Sequence, residues 1–201
     1  MPARNPDLHG NVPDRSPVAL VLIDVINDFE YDTGPDLLAH ALPVADRLAA
    51  LKARCQAAKV PVVYVNDNFG KWRSDQRTLI EHCLNDGVRG EPFVRKLLPG
   101  ETDYFVLKPK HSGFYSTTLD TLLTYLGVRT LILTGLTTDL CVLFTASDAY
   151  LRDLHLIVPP DCVAAPDRDE HEHALRHMAR VLDVQLVDSA ALDLAALRRG
   201  D

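Results

Sequence analysis

At 201 residues the chain is long enough for one sizeable core and short for two domains. Hydrophobic residues make up 47% and charged residues 24%, an ordinary globular balance, and a net charge of −7 excludes a whole-chain attraction to nucleic acid or an anionic membrane. No apolar run is long enough to span a bilayer. The opening MPARNPDLHGNVPDRSP lacks the apolar centre of a signal peptide, so residues 1–16 read as an arm ahead of a single domain over 17–201. Cys55, Cys83, Cys141 and Cys162 show no CxxC spacing, which points to reduced thiols in a cytoplasmic protein.

The elements alternate between short apolar runs and longer helical stretches. VALVLIDV, in the 17–25 region, is an apolar run ending in a carboxylate, the pattern of a strand buried on both faces. Apolar residues recur at helical spacing from Pro35 to Ala58, and VPVVYVND follows as a second strand. The stretch from Gly70 to Gly100 is polar and turn-rich, with a short helix around Leu79 to Leu84. YFVLK (104–108) is a third strand, and 116–127 a helix with Ser116 at its N-cap and Gly127 just past its end. TLILTG (130–135) is a fourth strand and Thr138 to Leu151 a helix. HLIVPPD (155–161) is a fifth strand stopped by its prolines. The next helix, DRDEHEHALRHMARVL, has Asp167 and Glu170 at capping-box spacing; VQLVD (184–188) is a sixth strand before a short Leu/Ala helix. This alternation predicts a three-layer α/β/α sandwich around a mostly parallel, six-stranded, Rossmann-like sheet. Right-handed crossovers then gather the C-terminal ends of the strands on one edge, where ligands bind in open α/β sheets.

Three polar residues stand where apolar strands end or just beyond: Asp24, Lys108 and Cys141. Cys141 falls near the start of a helix, whose partial positive charge and free N–H groups lower a thiol's pKa and hold an oxyanion. A neighbouring Lys108 would act in the same direction, and Asp24 could take the thiol proton. Together these are the parts of acyl transfer through a thioester. Each also has a plainer reading: a carboxylate after a strand caps a loop, a cysteine at a helix start packs into the core, and a lysine at a strand end is solvated.

The segments LVLIDVINDF, VVYVNDNFGKW, VLKPKHSGFYSTTL, LILTGLTTDLCVLFTASDAY and LIVPPDCVAA, in that order from about Val18 to Ala165, resemble the isochorismatase-like cysteine hydrolases. That family includes nicotinamidases, N-carbamoylsarcosine amidohydrolases and isochorismatases. The resemblance implies Asp24 as base, Lys108 as cation and Cys141 as nucleophile. It also implies a non-proline cis peptide between Leu136 and Thr137, which turns the Thr137 N–H into an oxyanion hole shared with the Cys141 N–H. Lys110, two residues past the strand end, reads as a surface lysine.

The expected activity is hydrolysis of a small amide, carbamoyl or related C–N substrate through a Cys141 thioester. The alternatives are vinyl ether hydrolysis of the isochorismatase type, in which the Asp acts as acid, and a non-catalytic thiol sensor or binding protein on the same scaffold. Dinucleotide binding is excluded by carboxylates where a GxGxxG would stand.

Asn66, Asp67, Asn68, Phe69 and Trp72 follow the second strand, and Phe29, Phe114 and Tyr115 sit beside the proposed catalytic positions. Of these, Phe29, Asn68, Trp72 and Tyr115 are the expected substrate pocket. Nicotinamidases resemble this scaffold but hold a metal through an Asp and histidines after the second strand. Here VNDNFGKW has no histidine before His82, and HEHALRH has Leu175 where an HExxH motif needs its second histidine, leaving His173 and His177 as a solvated pair one turn apart. No metal or other cofactor is expected. The family resemblance also implies a homodimer or homotetramer, with 143–151 as one possible contact helix, and a small-molecule substrate as the only other partner.

Overall fold

A computed structural model of the chain describes residues 15–200. Of the expected arm, residues 1–14 lie outside that range. Ser16 is already part of the body, its N–H donating to the Leu126 carbonyl at 2.9 Å.

Among the described residues seven strands form one sheet: β1 (Val18–Ile23), β2 (Val62–Asp67), β3 (Tyr104–Lys108), β4 (Thr130–Leu136), β5 (His155–Val158), β6 (Val163–Ala164) and β7 (Gln185–Leu186). Their order is β3-β2-β1-β4-β5-β7, with β6 paired to the end of β4, and every pairing is parallel. The expected sixth strand is β7. The extra one, β6, is two residues beyond the prolines, too short to show a periodicity of its own.

Strand β1 shows why the sheet carries helices on both faces. Val18, Leu20 and Leu22 enter one apolar core with α1 (Gly34–Ala57) and α2 (Gln76–Asn85), while Ala19, Val21 and Ile23 enter another with α4 (Leu119–Leu126), α5 (Leu143–Tyr150) and α6 (Arg168–Val181). Each face of the strand is fully covered, so the sequence reads as a continuous apolar run rather than an alternation. The first face also takes α3 (Glu91–Val94) and α7 (Leu194–Arg199).

Local chemistry moves several element ends. Between Gly70 and Gly100 there are two helices instead of one, α2 beginning where the Asp75 carboxylate accepts the Thr78 N–H at 2.7 Å. Helix α4 starts at Leu119 with Thr118 at its N-cap; Ser116 lies before it with a left-handed φ of 54°. Gly127 ends it in the left-handed conformation, φ 74°. Asp167 caps α6 through the Glu170 N–H at 3.0 Å. The helix expected over 138–151 begins as a π-helical turn, Thr138–Val142, before α5.

Strands run outward from β1 towards β3 on one side and from β4 towards β7 on the other, so the connection reverses between β1 and β4. Crevices at such switch points are where α/β sheets bind ligands. There β4 approaches β1 closely at Gly135, which has φ 104° and faces Ile23; a Cβ at that position would lie 2.1 Å from the Ile23 carbonyl oxygen. Among the described residues no helix is long and apolar enough to cross a membrane.

Candidate active site

Asp24 leaves β1 on the first residue past the strand, with φ 51° and its N–H donating to the Val65 carbonyl at 3.0 Å. The following loop is pinned from β2 by Asn66, fully buried, whose side-chain oxygen accepts the Ile26 N–H at 2.9 Å while its amide donates to the Ile26 carbonyl at 3.0 Å. The Asp67 N–H donates to Asp24 Oδ1 at 2.6 Å, leaving Oδ2 for the lysine.

Lys108 ends β3, in register with Asp67 on β2. Its side chain crosses towards β1 and is 0% exposed. The ammonium lies 2.9 Å from Asp24 Oδ2, 3.4 Å from Asp67 Oδ2 and 3.2 Å from the Lys110 carbonyl, and 3.5 Å from Cys141 Sγ. Lys110 itself has an exposed side chain, as expected of a surface lysine.

Cys141 comes from the π-helical turn after β4. The Thr137 carbonyl accepts from Leu140 N–H at 3.2 Å and Val142 N–H at 3.1 Å, passing over the Cys141 N–H between them. Such turns often mark functional sites in helices. The Leu136–Thr137 peptide is cis. The structure thus brings Asp24, Lys108 and Cys141 from three strand ends into one cluster, each at most 8% exposed.

The electrostatics correct one expectation. Burial, and next the Asp24 carboxylate, push the Cys141 thiol well above its ordinary range, and the lysine's opposing pull does not cancel them. Burial also raises the Asp24 carboxyl above its usual range, against the pull of Lys108. On Lys108 burial acts downward, but the negative groups around it prevail and hold the ammonium above its ordinary value. Burial and the Asp24 carboxyl thus favour the thiol over a preformed thiolate at Cys141.

Two residues at the site escaped the sequence reading. His111 Nδ1 lies 3.8 Å from Cys141 Sγ, and its ring tilts against Phe144 with centroids 5.5 Å apart. Tyr31 takes a hydrogen bond from Asn27 at 3.4 Å, and burial, then the nearby carboxylates, push its phenol up to about 12. Both sit in loops, where no periodicity signals them; only their chain proximity to Lys108 and Asp24 could have.

The expected pocket residues separate. Phe29 does not line an open pocket: a left-handed φ of 56° turns it into the core, where it is 0% exposed and meets Phe93 edge-on at 5.3 Å. Asn68 is buried, its side chain accepting the Gly70 N–H at 2.9 Å. Trp72 and Tyr115 are 82% and 57% exposed, and Phe114 is buried beside the Arg152 guanidinium.

Nor does the segment after β2 fit a metal. Asp67 Oδ1 accepts the Phe69 N–H at 2.6 Å and Oδ2 faces the lysine, while both His82 nitrogens face carboxylates, Asp86 at 2.7 Å and Asp28 at 3.2 Å. Among the described residues no group of three or more His, Cys, Asp or Glu is placed to hold an ion.

The isochorismatase domain model matches residues 18–189, the whole span that carries this cluster. The chain belongs to the isochorismatase family. Within that family it is 39% identical over 168 residues to the isochorismatase family protein YaaI of Bacillus subtilis, covering 84% of this chain and 92% of that one. It is 28% identical to the ureidoacrylate amidohydrolase RutB of Methylorubrum extorquens, over 74% of this chain and 70% of that protein. Among solved structures it is similar to N-carbamoylsarcosine amidase from Thermoplasma acidophilum, with a TM-score of 0.68 and 29% identity over 88% of this chain and 98% of that one. The fold and the family's hydrolase character therefore stand together.

Proposed function

We propose that the protein is a thiol amidohydrolase, cleaving the C–N bond of a small amide, carbamoyl or related substrate. The carrying observation is that one buried ammonium, Lys108 Nζ, touches both the Asp24 carboxylate and the Cys141 sulfur at the sheet's switch point. The amidohydrolase and amidase named among the similar proteins support the same class.

In this mechanism Cys141 Sγ attacks the carbonyl carbon as Asp24 takes the thiol proton. The oxyanion is held by the N–H groups of Thr137 and Cys141, and Lys108 balances the charge that accumulates. Collapse breaks the C–N bond, and the proton on Asp24 passes to the leaving amine or ammonia. A water molecule, losing its proton to Asp24, then attacks the thioester carbon, releasing the acid and restoring the thiol. A high thiol pKa suits this order: the proton leaves only when substrate offers the sulfur a bond. The residues supply base, nucleophile and charge balance without a metal ion, so turnover after exhaustive chelation is expected to be unchanged.

Vinyl ether hydrolysis is the second reading, favoured by the raised Asp24 carboxyl, which suits an acid as well as a base. The deciding experiment measures amine or ammonia release from small amides, carbamoyl compounds and nicotinamide by wild type and Cys141→Ala. Turnover that falls on the order of 10⁴-fold in the variant is the expected result. An unreduced rate would overturn the thioester route, and silence on the panel with Cys141-independent turnover of isochorismate would favour the ether reaction.

A further inference from the structure

A cavity of about 460 Å³ opens between α1 and the segment from Pro160 to His171, and none of Asp24, Lys108 or Cys141 lines it. Its volume is within the ordinary range for small-ligand sites. The walls bring together Arg47 from α1, Arg168 from the start of α6, and two histidines, His40 and His171. In a chain with a net charge of −7, two arginines here face a single lining carboxylate, Asp161.

Among the described residues the two arginines are not used up by neighbours. Arg47 makes no salt bridge among the described residues, and Arg168 meets Glu172 only through an exposed contact at 3.2 Å. Exposed pairs of that kind hold weakly against a competing anion. His40 Nδ1 lies 2.9 Å from the Ala165 carbonyl, so that nitrogen carries the hydrogen and Nε2 is left over. His171 Nδ1 lies 2.8 Å from Thr138 Oγ1, again leaving Nε2. The carboxylate lining the cavity, Asp161, has both oxygens occupied by Ser189, at 2.8 Å from its N–H and 2.6 Å from its hydroxyl. Glu172 and Asp139 are the acids acting on His171. The floor is apolar, with Pro43, Val163 and Ala165 on it.

We propose that this cavity is a second ligand site, for a small organic carboxylate with an apolar body, its charge held by Arg47 and Arg168 and one of its oxygens by the His171 Nε2–H. The site also bears on the catalytic turn. Thr138 is fully buried, opens the π-helical turn that carries Cys141, and is held by His171, so a ligand bonded to His171 acts on the seat of the thiol. Neither statement depends on the amidohydrolase reading.

Isothermal titration of benzoate into the full chain, with Cys141 capped by iodoacetamide to close the catalytic cleft, tests the site. Benzoate is expected to bind with a Kd on the order of 1 mM, and benzyl alcohol at least about tenfold more weakly. An Arg47→Gln/Arg168→Gln variant with an unchanged melting temperature should lose about tenfold or more in benzoate affinity, whereas Arg180→Gln should lose none. No benzoate binding up to about 20 mM, or equal binding in the double variant, would overturn the site. So would a dimer that the double substitution splits while benzoate binds neither form, because the cavity would then be covered by a second copy. The link to the thiol is read separately in uncapped protein. Saturating benzoate should change the rate of Cys141 alkylation at least about twofold in wild type and leave it unchanged in the double variant; an unchanged wild-type rate would overturn the link.

Discussion

Strand β3 has a buried lysine–carboxylate pair at each end, and the two pairs are built for different purposes. At its start, Asp103 holds Lys52 at 2.7 Å, and the same ammonium donates to the Leu98 carbonyl at 2.7 Å and lies over the Tyr64 ring, 5.1 Å from its centroid. Asp103 is satisfied in turn by the Gly100 N–H at 2.8 Å and the Gln56 amide at 2.9 Å. One cation there meets one carboxylate, and every strong group has a partner. At the other end Lys108 meets two carboxylates and a thiol, so acid groups outnumber the single cation. The first pair is closed and structural; the second holds a surplus proton acceptor next to a proton donor, the condition for chemistry.

The largest expected effect comes from removing the acceptor. Asp24→Asn should cut amide turnover about 10²–10⁴-fold, the usual worth of a positioned base. The same change removes a charge that pushes the Cys141 thiol up while leaving Lys108 to pull it down. The thiolate fraction at neutral pH should therefore rise, and iodoacetamide should alkylate Cys141 about tenfold faster for each pKa unit recovered. Dead turnover with a faster thiol would separate a catalytic base from a redox or binding role; turnover kept at the wild-type level would remove Asp24 from the mechanism. In wild type the acid limb of the turnover profile should lie above the ordinary aspartate range, because burial raises that carboxyl, and it should disappear in the variant.

The closed pair should respond in the opposite way. Lys52→Met leaves Asp103 buried without its cation, which costs about 3 kcal/mol of folding stability. Turnover per folded molecule should not change, because Lys52 is at the far end of β3 from the thiol. Denaturant unfolding with an activity measurement below the transition checks both halves. A variant of wild-type stability would mean that Asp103 finds water or another partner at little cost.

Much of this contrast was legible in the sequence. Strand β1 is covered on both faces, so it reads as an unbroken apolar run and Asp24 just past its end is conspicuous; Lys108 ends the edge strand β3, only partly buried, and stands out because the apolar residues of YFVL precede it. Cys141 was legible from its place beyond β4. Its environment was not, because a thiol's pKa depends on burial and on a carboxylate arriving from another strand. The π-helical turn and the two-residue β6 escaped because each spans only about one period, too little for a repeat to show. Phe29 was misplaced because adjacency to Asp24 in sequence says nothing of direction, and a left-handed residue sends the ring inward. His111 and Tyr31 reach the site only through loop conformations.

The smallest effect distinguishes the two carboxylates at the open pair. Asp67 Oδ2 stands 3.4 Å from Lys108, and its side chain is about one-third exposed, at 32%. Its charge helps hold the ammonium above its ordinary value, but after Asp24 and Cys141 in importance. Asp67→Asn keeps the backbone N–H that donates to Asp24 and removes only a partly screened charge. Turnover should fall less than about tenfold, with the alkaline limb shifted slightly downward as Lys108 loses one of the charges that keep it protonated. A loss as deep as that of Asp24→Asn would make Asp67 a second base, and the surplus of acid at this end of β3 would then be divided between two working carboxylates.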